Sequence, residues 1–85
     1  MEHFAEFGEN CIIQENTIVG LKYRDDCNKA KIGNNAVIRV FTVIYADVEN
    51  GDDFKTGHGV IIRENTKIGS KVVIGSRTVC AYSDQ

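Results

Sequence analysis

The sequence predicts an all-β chain, a parallel β-helix of about four coils. Three observations point there. A branched apolar residue returns every six positions, glycine commonly follows it, and a second small or apolar residue lies four positions beyond it. From Ile32 the run reads Ile32-Gly33, Ile38-Arg39, Ile44-Tyr45, Asn50-Gly51, Thr56-Gly57, Ile62-Arg63, Ile68-Gly69 and Ile74-Gly75. The second slot holds Ala36, Thr42, Val48, Phe54, Val60, Thr66, Val72 and Thr78. Backwards the register continues through Val19-Gly20, Ile13 and Phe7-Gly8, with Tyr23, Thr17 and Cys11 in the second slot and one residue inserted between Val19 and Ile32. Seven of the eight glycines occupy the position after the first slot. A six-residue period marks a parallel β-helix, each hexad supplying one short strand and one turn.

Each element has a physical reason. Side chains alternate across a strand, so both slots of a hexad point inward. The chain then turns sharply, and glycine adopts backbone angles that cost other residues energy. Three faces close a coil of about 18 residues, and coils stack about 4.8 Å apart through backbone hydrogen bonds. Phe7 to Val79 holds twelve hexads plus the inserted residue. Residues 18 apart then form inward columns: Ile32, Asn50 and Ile68; Ile38, Thr56 and Ile74; Ile44 and Ile62. β-Branched side chains suit such ladders because they fit a pleated, close-packed surface. Asn50 is polar in an apolar slot and needs a hydrogen-bond partner if buried.

The remaining segments fit one domain over 1–85, with regular coils across 7–79. The run Met1 to Glu6 is expected to form a partial cap, and 81–85 reads as a polar tail. The absence of proline permits continuous strand pairing. The irregular segment 21–31 puts Asp25 where an inward residue belongs, so this hexad is expected to bulge out as a loop. Solenoid insertions gather on one face and often serve binding. The pairs Asp25-Asp26 and Asp52-Asp53 read as turn formers rather than metal ligands, since neighbouring strand residues face opposite ways; no metal is expected.

Net charge is −2 with both signs interspersed, so there is no basic, aromatic-interleaved patch of the nucleic-acid type. No run approaches the length of a membrane-spanning helix, and the first residues lack signal-peptide character. No nucleic-acid or membrane partner and a cytoplasmic location are therefore expected. Cys11, Cys27 and Cys80 are an odd set without a Cys-x-x-Cys pair; Cys11 reads as a core residue, the other two as free thiols in a reducing compartment.

The stretch from Ile32 to Ser76 (Ile-Gly-Asn-Asn-Ala-Val-Ile-Arg, then Val-Ile-Tyr-Ala-Asp-Val, then Phe-Lys-Thr-Gly-His-Gly-Val-Ile-Ile-Arg-Glu-Asn-Thr-Lys-Ile-Gly-Ser-Lys-Val-Val-Ile-Gly-Ser) resembles the hexapeptide-repeat acyltransferases, especially sugar acetyltransferase-like members. The resemblance implies a left-handed helix; the usual crossover rule would suggest the opposite hand. It also implies a homotrimer that binds acetyl- or acyl-coenzyme A between subunits and transfers the acyl group to a hydroxyl or amine of a sugar-like acceptor. Open coil ends further allow a dimer of trimers.

Within that resemblance His58, in Thr56-Gly57-His58-Gly59-Val60, is the candidate general base. Its column has Val40 below and Ser76 above, and glycine on both sides leaves it open to a ligand. Histidine suits proton transfer because its ordinary pKa lies near working pH, and such transfer contributes about 10²–10⁴-fold. Glu64 lies one hexad further on, able to orient His58 only across a corner or an interface. Arg63, Lys67, Lys71 and Arg77 are the candidate coenzyme A phosphate ligands, with solvated surface positions as the alternative. The chain is short, with few coils, no long projecting loop and a register that stops at Thr78-Val79-Cys80. A truncated relative or a non-catalytic oligomerisation scaffold is therefore the competing expectation. A three-histidine zinc site is excluded by having only His3 and His58. An ice-binding array is excluded because Thr42, Thr66 and Thr78 fill inward slots.

Overall fold

A computed structural model describes residues 3–80 as twelve short strands in three parallel four-stranded sheets, with no helix among them. The tail at 81–85 and the first two residues of the expected cap lie outside the described residues. The first coil holds β1 (Ala5–Phe7), β2 (Ile12–Ile13) and β3 (Ile18–Leu21). The second holds β4 (Ala30–Ile32), β5 (Val37–Ile38) and β6 (Val43–Tyr45); the third β7 (Val48–Asn50), β8 (Lys55–Thr56) and β9 (Ile61–Ile62). The fourth holds β10 (Thr66–Ile68), β11 (Val73–Ile74) and β12 (Val79–Cys80). Every third strand joins the same sheet: β1-β4-β7-β10 form face A, β2-β5-β8-β11 face B and β3-β6-β9-β12 face C. This is a four-coil parallel β-helix.

The columns follow the 18-residue register. Ile32 lies opposite Asn50 and Asn50 opposite Ile68, Thr56 opposite Ile74, and Ile44 opposite Ile62. Val19, Ile38, Ile44, Val48, Phe54, Val60 and Ile62 are fully buried. Removing an Ile or Phe side chain of this kind from water is worth about 1.5–3 kcal/mol, so these residues supply the main drive for coiling. The register holds through Cys80, the last described residue. Cys80 pairs with Ile62 on the twelfth strand, packs against the core and is half-buried, which pushes its thiol pKa up. Cys11 packs against the same core, its thiol 3.3 Å from the Gly33 carbonyl.

Three local features bear on the expectations, and the second and third of them are corrections. First, the offset from coil one to coil two is 25 residues (Ala5 opposite Ala30), against 18 between later coils (Lys31 opposite Glu49). The excess is seven residues, a whole hexad plus the inserted one, and it leaves the wall as a loop between β3 and β4. Second, Tyr23 therefore sits in that loop and not in an inward slot, which Ala30 fills instead, fully buried.

Third, most glycines do not serve the left-handed turns. Positive φ falls at Asn10, Asn16, Asn35, Phe41, Asp47, Asp53, Asn65, Lys71 and Arg77, and among glycines only at Gly20 and Gly59. Asn and Asp tolerate that region because their short side chains bond locally. Gly8, Gly33, Gly51 and Gly57 instead allow coils to approach at the corners. A Cβ on Gly33 would lie 2.7 Å from the Gly51 carbonyl carbon and 2.5 Å from the Asp52 carboxylate. At the same corner Asn34 N–H donates to Asp52 (2.8 Å), and Asp52 N–H to Ser70 Oγ (3.2 Å).

The described part of the cap closes over coil one. Phe4 N–H donates to the Val19 carbonyl (3.0 Å), Ala30 N–H to the Phe4 carbonyl (3.1 Å), and Val19 N–H to His3 Nδ1 (3.1 Å). Gly20, at φ 87, lets the Phe4 carbonyl pass where a Cβ would stand 1.9 Å from it. Accepting at Nδ1 requires a neutral ring, consistent with burial lowering the His3 pKa.

Candidate functional site

His58 stands on the corner between β8 and β9, where faces B and C meet. Its backbone is tied to both neighbouring coils. The His58 N–H donates to Ser76 Oγ (3.0 Å), its carbonyl accepts from Arg77 N–H (2.9 Å), and Gly59 N–H donates to the Val40 carbonyl (3.0 Å). The side chain is exposed, and the space where a Gly59 side chain would project is open. Beneath it lies a buried hydroxyl pair, Thr42 and Thr56, with oxygens 3.4 Å apart. Thr42 donates to the Gly57 carbonyl (3.3 Å) and Thr56 Oγ1 accepts from Arg39 N–H (3.0 Å). These bonds fix the turn that carries His58. Among the described residues no hydrogen bond or ion pair holds its imidazole.

The other candidates are spread out. Glu64 lies on the next corner, between faces C and A, and accepts from Arg63 Nε at 3.1 Å. Its own backbone N–H and that guanidinium hold the carboxyl below its ordinary value against some desolvation. The Arg63 guanidinium also lies 4.8 Å from the centre of the Tyr45 ring. Lys67 projects outward from β10, Lys71 occupies the turn between β10 and β11, and Arg77 the turn between β11 and β12. Only Arg77 shares the corner of His58. A single chain thus brings His58, Ser76 and Arg77 together and leaves Arg63, Lys67 and Lys71 elsewhere.

The loop after β3 builds a second feature. With the outer surface of face A it encloses an open groove of about 950 Å³, whose lining includes Phe4, Glu6, Lys29, Lys31, Asp47 and Lys67. Asp47 pins the loop: Tyr23 donates its hydroxyl to Oδ2, and Asn28 N–H donates to Oδ1 (3.0 Å). Tyr23's hydrogen bond, aided by the Asn28 N–H, holds the Asp47 carboxyl below the usual carboxylate range against desolvation, and the same bond pushes the Tyr23 pKa up. The insertion had marked this side of the helix, but Lys29 and Lys31 were not singled out. The 18-residue outward spacing of Lys31, Glu49 and Lys67 was the legible signal.

The outer surface of face C was also missed. Ile18 lies opposite Val43, Val43 opposite Ile61, and Ile61 opposite Val79, an uncharged ladder over all four coils. Reading only inward slots hides it. No protein-family model matches the chain, and no solved structure matches it.

Proposed function

We propose that this chain is an acyltransferase subunit of the hexapeptide-repeat kind, moving an acyl group from acyl-coenzyme A to a hydroxyl or amine of a sugar-like acceptor. The observation that carries the reading is His58: an exposed imidazole on a rigid corner, flanked by Gly57 and Gly59 and bordered by two largely apolar outer faces. Chains packed on those faces, as a homotrimer, enclose the imidazole and supply the remaining walls. His58 takes the proton from the acceptor as its oxygen or nitrogen attacks the thioester carbonyl. The carbon–sulfur bond breaks, and the proton passes from the imidazolium to the departing thiolate. Arg77, on the same corner, is the phosphate ligand nearest to that chemistry; Arg63, Lys67 and Lys71 contribute only from a neighbouring subunit.

Calorimetric titration of acetyl-coenzyme A tests this. Micromolar binding at about one site per chain is expected. The His58→Ala variant should keep donor binding and lose about 10²–10⁴-fold in turnover with an accepted sugar. Absence of binding at millimolar donor, from a folded and assembled protein, overturns the reading. A non-catalytic scaffold then takes its place, favoured by the lack, among the described residues, of any polar partner for the imidazole and by the scatter of Arg63, Lys71 and Arg77 over three corners and Lys67 on face A.

A further inference from the structure

The open edge of coil one is covered on face C by two residues of the cap. Coil two takes the Ile18 N–H, which donates to the Thr42 carbonyl at 3.0 Å. Val19, next along β3, turns its backbone groups the other way. Its carbonyl accepts from Phe4 N–H at 3.0 Å, and its N–H donates to His3 Nδ1 at 3.1 Å. The imidazole nitrogen thus stands where the carbonyl of a preceding strand would be. The Val19 side chain is fully buried, and the Phe4 carbonyl passes so close to Gly20 that no side chain fits between them.

An imidazole nitrogen accepts only while the ring is neutral. Once protonated, both nitrogens are donors, so Nδ1–H and the Val19 N–H would confront each other and the Val19 N–H would lose its partner. The His3 ring is half-buried and meets the Phe7 ring edge-on, 5.9 Å between centres. The charged groups around it are Glu15, at the corner between β2 and β3, and Lys22, whose ammonium lies 4.4 Å from the centre of the Phe4 ring. Neither forms an ion pair with the imidazole among the described residues. Burial holds the His3 pKa below its ordinary value, and the positive N-terminus adds to the effect.

We infer that His3 is a pH-operated latch: a proton on its imidazole releases the cap and uncovers the Val19 edge of β3, while the coils behind it stay wound. The closed cap binds that proton less readily than the open one. Closure is therefore favoured in full above the ordinary histidine pKa of about 6.5, and the preference declines as pH falls from there towards the lowered value. An uncovered strand edge is a template for pairing with another strand, so the neutral latch keeps this end of the helix closed.

Amide exchange of the full chain, followed by NMR from about pH 7.5 to about pH 5, tests the latch above the acid range of Asp47. Between those limits the Val19 protection factor should fall at least about threefold. The ceiling is about thirtyfold, the extent to which a ring of ordinary pKa is protonated at the lower pH. Ile44 should keep its protection. In His3→Asn, whose Oδ1 accepts but does not titrate, the Val19 value should stay flat. The His3 ring and the Val19 amide shift should titrate together, with one midpoint below about 6.5. A flat wild-type profile, an equal fall in His3→Asn, or separate midpoints for ring and amide overturns the inference.

Discussion

Faces A and C are built from the same hexads yet differ on both surfaces. Outward, face A alternates Glu6, Lys31, Glu49 and Lys67 down its strands, whereas face C carries the ladder Ile18, Val43, Ile61 and Val79, with Leu21 and Tyr45 beside it. Inward, face C stacks Val19, Ile44, Ile62 and Cys80, whereas face A interrupts its column with Asn50. Among the described residues the outward charges of face A form no ion pair within 4 Å, and the Asp47-pinned loop ties the chain beside face A. Face A thus remains in water. Face C has a complete core and an outer surface suited to burial.

The largest expected effect comes from breaking the complete column. Ile62→Ala, at a fully buried site on face C, should cost about 2–5 kcal/mol in denaturant unfolding, the range for emptying a core position. Lys67→Ala, outward on face A, should stay within about 0.5 kcal/mol. A comparable loss for both would erase the distinction between wall and core.

Asn50 sharpens the comparison in the opposite direction. It is 7% exposed, and neither its Oδ1 nor its Nδ2 has a hydrogen-bond partner. An unsatisfied buried amide costs about 1–3 kcal/mol, and its column neighbours Ile32 and Ile68 are apolar. Asn50→Val should therefore raise the unfolding midpoint. A lower midpoint would show that the amide is satisfied by a group such as a buried water.

The smallest effect is local and pH-dependent. Because the Tyr23 hydroxyl holds the Asp47 carboxyl below its ordinary value, the folded chain binds a proton there less readily than the unfolded chain. The contribution is present above the ordinary carboxylate pKa of about 4 and is lost as pH falls through the lowered folded value. The protection factor of the Asn28 amide, whose N–H bonds Asp47, should fall in that acid range while that of Ile44 is kept. In Asp47→Asn the acid step should vanish.

The coil count, the three columns and the exposed corner of His58 were legible because each depends on a residue's place in an 18-residue period. What sequence could not supply was the residue that fills the inward slot after the interruption. Asp25 marked the hexad that bulges out, but counting in sixes still put Tyr23 in a slot that Ala30 fills. The glycines were assigned to the wrong cause for a related reason. Their role is set by the coil stacked against them, as Gly33 is by Gly51, and spacing along one coil carries no trace of that contact.

The measurement closest to the central claim is sedimentation equilibrium of the unmodified chain across micromolar concentrations. The proposed inter-subunit site predicts an associated species, with a trimer as its closed form. A monomer throughout would contradict it, leaving face C as bare wall and His58 without an enclosing partner.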